Sequence, residues 1–175
     1  NLTYNSLVLN SSIGKWYLDI FVLHTIYYVM AYKSRYRPQN VNKYMGDPHK
    51  IICRSMWERK VCKYLDSNKN ILRWSSEEIS IPYYSTVDRK MRRYYPDFLI
   101  EKKGKENEID TILIEVKPLK QTIRPKRGKK TKKSYLNECM TYETNLAKWK
   151  YAREYCKQRG WKFLILTEKD IFSNK

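Results

Sequence analysis

Three acidic residues and one lysine have the types and spacing that metal-dependent cleavage of a polyanion requires. Asp97 directly follows a Tyr-Pro pair, and a single valine separates Glu115 from Lys117. Glu58 lies upstream, three residues after a serine. Carboxylates held close together bind a divalent cation, and a nearby lysine stabilises negative charge on a phosphate. The four side chains therefore predict a candidate site for phosphodiester hydrolysis.

The predicted strand over residues 109–117 determines on which face of the sheet Glu115 and Lys117 lie. Successive side chains of a strand alternate between its two faces, so Glu115 and Lys117 share one face. The other face is aliphatic and carries Ile112, Ile114 and Val116. We expect that aliphatic face to pack under a long C-terminal helix, with the two charged residues on the opposite side.

Asp97 lies on a second predicted strand, residues 91–100, which a short polar turn connects to residues 109–117. Short turns join antiparallel neighbours, and neighbouring strands lie ~4.8 Å apart. Asp97 is therefore expected within reach of the same ion as Glu115. Oxygen ligands without His or Cys favour Mg²⁺ or Mn²⁺ over zinc.

Each of these short patterns also has an ordinary structural explanation. A Glu-x-Lys on the wet face of a strand is usually solvated charge, and Pro-Asp is common in turns. Glu58 follows Ser55 at the spacing of a capping box, in which the Glu accepts a hydrogen bond from the N-cap backbone. The pairing of the two strands favours a catalytic role for Asp97 and Glu115, whereas both explanations of Glu58 stay open.

The remaining periodicity predicts one α/β domain with a mixed sheet. Apolar spacing predicts a helix over about residues 52–66, a short extended segment at 71–74 and a strand over 78–84 that precedes the two strands above. A long helix capped by Ser134 and a buried strand at 161–167 follow. The expected order is helix, antiparallel three-strand meander, helix, strand.

The chain is strongly cationic, which indicates an anionic partner. Its 175 residues contain 36 Lys and Arg against 18 Asp and Glu, a net charge of +18. Nucleic acid is the leading partner for such a charge, and sixteen tyrosines and five tryptophans argue against a disordered basic tail. The four cysteines lack the C-x-x-C spacing of a zinc site, so reduced thiols in a cytoplasmic compartment are expected.

A cluster of cations follows Lys117 directly. Residues 120–133 contain eight Lys or Arg and no acid, and Pro125 and Gly128 predict a loop. Such a loop binds DNA by displacing the counterions of its phosphates, the alternative being a flexible solubilising loop. The residues expected to bind DNA are Arg92, Arg93, Lys120, Arg124, Lys126, Arg127, Lys129, Lys130, Lys132 and Lys133.

Asp97 together with Glu115-Val116-Lys117 resembles the PD-(D/E)xK nuclease superfamily, whose αβββαβ core has the order expected above. A longer run of segments resembles the head-completion nucleases of T-even-like tailed phages. Those proteins are in turn similar to the endonuclease subunit of heteromeric transposases. The resembling segments are residues 35–38, 54–58, 74–78, 81–83, 93–98 and 115–118.

The resemblance implies a restriction-endonuclease-like fold and a divalent-metal-dependent DNA endonuclease that acts in phage head completion. Asp97 and Glu115 would hold Mg²⁺ or Mn²⁺, Glu58 would complete the metal site, and Lys117 would orient water or stabilise charge on the phosphate. The implied partners are double-stranded DNA and phage portal, neck or head proteins, without a small-molecule cofactor. The implied location is the host bacterial cytoplasm or the virion.

Two other functions fit the same residues. One is a structural head-completion or DNA-end-binding protein whose nuclease core does not cut. The other is a transposase-type or junction-resolving nuclease, which would need a partner protein or a branched substrate.

The chain divides into three regions. Residues 1–29 contain one Lys and one Asp, and their apolar stretch is short for a membrane span and lacks a basic flank. We interpret them as a non-native upstream extension or a disordered segment rather than a membrane anchor. Residues 30–50 are expected to form a basic N-terminal arm, and residues 51–175 the PD-(D/E)xK nuclease domain.

Overall fold

The computed structural model describes residues 33–173, which contain eight strands, four α-helices and two short 3-10 helices. Residues 1–29, the expected extension, lie outside it. The strands are β1 (Ser34–Arg35), β2 (Ile52–Cys53), β3 (Ile71–Ser76), β4 (Ile81–Ser85), β5 (Lys90–Tyr94), β6 (Phe98–Lys103), β7 (Ile109–Val116) and β8 (Lys162–Leu166). The helices are α1 (Met56–Ser67), α2 (Leu119–Thr122), α3 (Lys132–Lys157) and α4 (Glu168–Phe172).

A four-stranded mixed sheet with the order β3-β6-β7-β8 organises the fold. β3, β6 and β7 are antiparallel neighbours, and β8 pairs with β7 in parallel. A parallel pair requires a crossover connection, which α3 supplies between β7 and β8. The mixed α/β fold predicted from the sequence is therefore confirmed. No helix within residues 33–173 is long and apolar enough to cross a membrane.

Both faces of the sheet are covered, and the prediction of which helix covers which face was wrong. Ile112, Ile114 and Val116 do share a face, but they pack with α1 rather than with the long helix. α3 packs on the Leu113 face through Ala152 and Cys156, on the side that Glu115 also faces. The periodicity of the sequence could not show which helix covers which face of β7. All residues from Ile112 to Val116 are buried, so both faces of the strand must be covered.

The composition of the antiparallel meander also differs from the prediction. Its first strand is β3, not residues 78–84, and β4 pairs with β5 in a separate two-stranded hairpin. The predicted strand over residues 91–100 is divided between β5 and β6 by Tyr95–Asp97. Glu77, with φ of 55°, turns the chain out of the sheet after β3, and its N–H donates to the carbonyl of Asp97. The hairpin is thus an insertion between two paired strands.

The first helix begins at Met56, later than the predicted residue 52. Ile52 and Cys53 are extended and pair with β1, so they are excluded from the helix. Ser55 has extended backbone angles, and its Oγ accepts a hydrogen bond from the Glu58 N–H at 3.1 Å. This N-cap satisfies one of the free donors of the first turn and fixes where α1 starts.

Residues 33–50 pack on the core instead of extending as an arm. Tyr36 and Tyr44 are buried against Trp74, with ring centroids 6.0 and 4.8 Å from it. Asp66, near the C-terminal end of α1, accepts hydrogen bonds from the backbone N–H of Gln39 at 2.7 Å and of Asn40 at 3.0 Å. Its carboxylate therefore ties this segment to the helix.

Asp66→Ala is expected to lower the free energy of unfolding by about 3 kcal/mol. The side chain is only 2% exposed, and its loss leaves two backbone N–H groups and the Tyr36 hydroxyl without their acceptor. Urea denaturation followed by circular dichroism measures the change. Asp47→Ala is the matched control, since within residues 33–173 the Asp47 carboxylate bonds to His49 N–H and Lys50, both at the surface. Equal effects of both variants would contradict the anchoring role of Asp66.

Candidate active site

Asp97 and Glu115 face each other across β6 and β7, and Lys117 lies beside them. Asp97 precedes β6, and its Oδ2 accepts a hydrogen bond from the Val116 N–H at 2.6 Å. Glu115 is 2% exposed, and its Oε1 pairs with Lys117 Nζ at 2.8 Å. The structure therefore brings together the three residues that the strand parity predicted to meet.

The electrostatics of Asp97 reflect burial next to a second carboxylate. Burial, followed by the charge of Glu115, raises the pKa of Asp97 well above its usual range, while Lys117 opposes the shift. Burial works to lower the pKa of Lys117, but the charges of Glu115 and Asp97 outweigh it and raise that pKa. Two carboxylates thus lie beside a single protonated lysine. A further positive charge next to Asp97 and Glu115 is therefore favourable.

The pair of carboxylates fits a divalent cation. Both donors are hard oxygen atoms, and the cation would relieve the repulsion that raises the pKa of Asp97. Within residues 33–173, no three carboxylate, histidine or cysteine side chains are grouped closely enough to hold a metal ion by themselves. Mg²⁺ is usually held through one or two carboxylates, with waters and substrate phosphates as its other ligands. Asp97 and Glu115 match that requirement.

Glu58 caps the first turn of α1, but the backbone N–H that it accepts from is that of Arg54 and not the Ser55 N–H that the capping-box spacing predicts. Its Oε2 accepts a hydrogen bond from the Arg54 N–H at 2.7 Å, and its Oε1 accepts one from the Ser55 hydroxyl at 2.9 Å. Glu58 nevertheless lies within electrostatic reach of Lys117 and Asp97, whose pKa values it raises. It is thus a capping residue at the border of the carboxylate pair.

Sequence reasoning missed Tyr94, which orients Glu115. Its hydroxyl donates to Glu115 Oε2 at 2.6 Å, and burial together with the Glu115 charge raises the pKa of Tyr94. The hydroxyl therefore remains a proton donor. Tyr94 is the last residue of the inserted hairpin, so no pattern within β6 and β7 pointed to it.

Arg54 and Glu77 form a second contact that the sequence did not reveal. The guanidinium donates to both carboxylate oxygens of Glu77, at 2.8 and 2.9 Å. This bidentate pair joins the segment before α1 to the turn after β3, where the Glu77 N–H bonds to the Asp97 carbonyl. Glu58 and Asp97 are thereby connected through residues outside the site itself.

The cationic segment after Lys117 is exposed, but it is not a loop throughout. Lys120 belongs to α2, and α3 begins at Lys132 with Thr131 as its N-cap, so Ser134 is not the cap. The exposed cations between the helices are Arg124, Lys126, Arg127, Lys129 and Lys130. Lys133 lies with Lys132 in the first turn of α3. Lys130 Nζ pairs with Glu138 at 2.5 Å, whereas the other cations of the segment lack acidic partners within residues 33–173.

The cations expected near Asp97 lie on the inserted hairpin. Arg92 and Arg93 are both exposed on β5, two residues and one residue before Tyr94 respectively. Arg92 forms an ion pair with Asp88 at the hairpin turn. Arg93 forms no ion pair within residues 33–173. It lies opposite Pro82 on the outer face of the hairpin.

Comparisons with known proteins place the chain among nucleases. A model of the TnsA-like endonuclease N-terminal family matches residues 68–168, a range that contains Asp97, Glu115 and Lys117. The head completion nuclease of Enterobacteria phage T4 is 40% identical over 143 residues, which are 79% of this chain and 93% of that protein. The chain therefore belongs to the TnsA-like endonuclease N-terminal family.

Proposed function

We propose that this protein is a divalent-cation-dependent DNA endonuclease that acts in phage head completion. The observation that carries the proposal is the pairing of half-buried Asp97 with buried Glu115, with Lys117 at 2.8 Å from Glu115. Membership of an endonuclease family and 40% identity to a head completion nuclease support it. Head completion would bring the protein to the cytoplasm of a phage-infected bacterium and to portal, neck or head proteins.

Asp97 and Glu115 would hold the cation, Mg²⁺ or Mn²⁺, and Glu58 is the candidate for a further ligand. When bound, a divalent cation supplies Lewis-acid stabilisation of the phosphate and a more acidic water. The chain pre-orients both carboxylates, because the Val116 N–H fixes Asp97 and the Tyr94 hydroxyl fixes Glu115. Glu58 would have to exchange its bonds to Arg54 and Ser55 for such a ligand role.

Lys117 would stabilise the negative charge that develops on the phosphate. The neighbouring carboxylates raise its pKa, so the side chain stays protonated at neutral pH. Its contact with Glu115 holds the ammonium in place without solvent reorganisation, which is the condition for effective electrostatic stabilisation. A lysine that is 25% exposed also remains open to substrate.

Double-stranded DNA is the proposed substrate, and the exposed cations supply its binding energy. Neutralised phosphates release counterions, so a cluster of exposed lysines and arginines favours binding. Lys132 and Lys133 lie in the first turn of α3, where the helix dipole disfavours cations and favours anions. The presence of two lysines at a helix end that disfavours cations supports a role for them in binding a polyanion.

Incubation of the full chain with supercoiled plasmid tests the proposal. We expect nicked and linear products with Mg²⁺ or Mn²⁺, and none in EDTA, because the carboxylate pair needs a cation to act. Agarose electrophoresis measures the products. Cleavage that persists in EDTA would contradict the cation requirement. DNA binding without cleavage under any of these conditions would instead support a structural DNA-end-binding protein.

A further inference from the structure

Lys148, on α3, lies beside the candidate active site without an acidic partner. Its Nζ is 5.6 Å from the ring centroid of Tyr94 and 6.0 Å from that of Tyr83. Tyr94 is the residue whose hydroxyl bonds to Glu115. No acidic side chain within residues 33–173 lies at salt-bridge distance from Lys148. The ammonium is thus held near the carboxylate pair without neutralising it.

The surroundings of Lys148 differ from those of most lysines on α3. Burial lowers the pKa of Lys148, the charges of Glu115 and Asp97 raise it, and Lys117 lowers it. The ammonium is therefore within electrostatic reach of all three members of the site. Lysines on helix surfaces normally extend into water, where the ammonium is well hydrated.

The two tyrosine rings do not account for this placement by themselves. Cation–π attraction is significant within about 6 Å of a ring centroid, and both distances lie close to that limit. A half-buried ammonium gains more from an anion that approaches from solvent. Lys117 is bonded to Glu115, whereas Lys148 has no carboxylate within residues 33–173 at salt-bridge distance, so Lys148 can bind an anionic oxygen without giving up an ion pair.

Resting on the proposed function, we propose that Lys148 binds a phosphate of the DNA backbone at the catalytic centre. Lys148 belongs to α3, whereas Lys117 directly follows β7, so the two lysines reach the site from different elements of the fold. Lys148 then fixes the position of the phosphate, and Lys117 acts on the charge that develops there. Tyr83 and Tyr94 limit the directions that the Lys148 ammonium can take.

The test compares wild-type protein with Lys148→Met, which keeps the length of the side chain and removes its charge. Lys150→Met is the matched control, since Lys150 is exposed and lies about 200° further round α3. Binding to a short duplex is measured by fluorescence anisotropy in Ca²⁺, between about 50 and 200 mM NaCl. Plasmid cleavage in Mg²⁺ and the melting temperature are measured on the same preparations.

We expect Lys148→Met to reduce the slope of log Kd against log salt by about 0.9, the value for one phosphate that the protein no longer neutralises. Its kcat should fall about 100-fold with a smaller change in KM, because Lys148 positions the reacting phosphate. Lys148→Arg should retain the slope. Lys150→Met should match wild-type protein in all three measurements.

An unchanged salt slope in Lys148→Met, or an equal change in Lys150→Met, would overturn the proposal. If Lys148→Met melts well below wild-type protein, the comparison is repeated with Lys148→Gln. Unfolding of both neutral variants would overturn the proposal, because it would show that the lysine has a structural role. A different result, the absence of plasmid cleavage by wild-type protein, would contradict the proposed nuclease function. In that case the salt slope still decides whether Lys148 binds a phosphate.

Discussion

Replacing Asp97 by Asn should abolish DNA cleavage and, at the same time, raise the melting temperature of the cation-free protein. The amide cannot hold a divalent cation as the carboxylate does, so cleavage should fall at least about 1,000-fold. The amide oxygen can still accept the hydrogen bond that Val116 N–H gives to Asp97. The fold therefore keeps this hydrogen bond while one of two repelling charges disappears.

The sign of the stability change follows from the raised pKa of Asp97. A carboxyl whose pKa is higher in the folded than in the unfolded state stabilises the fold below its unfolded pKa. That contribution is lost as the pH rises through the folded value. We therefore expect the melting temperature of Asp97→Asn to exceed that of wild-type protein at pH 8 in EDTA, and the difference to vanish near pH 4.

Glu101→Gln is the control for Asp97→Asn. It makes the same chemical change on the strand that follows Asp97, at a residue that pairs with Arg73 outside the site. Cleavage should remain at the wild-type level, and the melting temperature should not rise. In wild-type protein Mg²⁺ should raise the melting temperature, and in Asp97→Asn it should have little effect. A destabilised Asp97→Asn protein, or one that cleaves normally, would contradict the role given to the carboxylate.

Neutralising Lys126, Arg127 and Lys129 together should weaken DNA binding at least tenfold at about 150 mM salt. These side chains are exposed, and in the described part of the chain none has an acidic partner, whereas Lys130 is already paired with Glu138. The slope of log Kd against log salt should fall by about 2.7, or 0.9 for each phosphate that the variant no longer neutralises. Fluorescence anisotropy in the Asp97→Asn background measures binding without cleavage.

The matched control neutralises Lys69, Lys103 and Lys105, three exposed lysines at the opposite end of β6 from Asp97. Six residues of strand separate the two ends by about 20 Å. These substitutions change the net charge equally, so they should lower affinity slightly and leave the slope nearly unchanged. Equal slopes for the two triple variants would mean that residues 120–133 only contribute to the overall field of the protein.

The relative positions of Asp97, Glu115 and Lys117 could be predicted from the sequence, because two local rules determine them. Strand alternation put Glu115 and Lys117 on one face, and the short β6–β7 turn made Asp97 their neighbour. Both rules depend on residues close together in the chain. The same locality predicted a capping role for Glu58, although the backbone N–H bound by its carboxylate belongs to Arg54 rather than to Ser55.

The remaining parts of the site depend on contacts between distant segments, and local patterns could not reveal them. Tyr94 meets Glu115 across 21 positions of sequence, and the hairpin that carries it looked like part of the main sheet. Lys148 reaches the site because α3 covers the Leu113 face of β7, a choice that alternation left open. Each of these residues is positioned by packing rather than by its neighbours in the chain.

The insertion of the β4–β5 hairpin limits how the chain can change in length. Tyr94 points toward Glu115 only in the observed register, in which Ile81 lies opposite Tyr94 and Ser85 opposite Lys90. Loss or gain of one residue within β5 would turn the Tyr94 hydroxyl to the outer face, because strand side chains alternate. Relatives should therefore vary freely in length at the hairpin tip, residues 86–89, and conserve the spacing between that tip and Asp97.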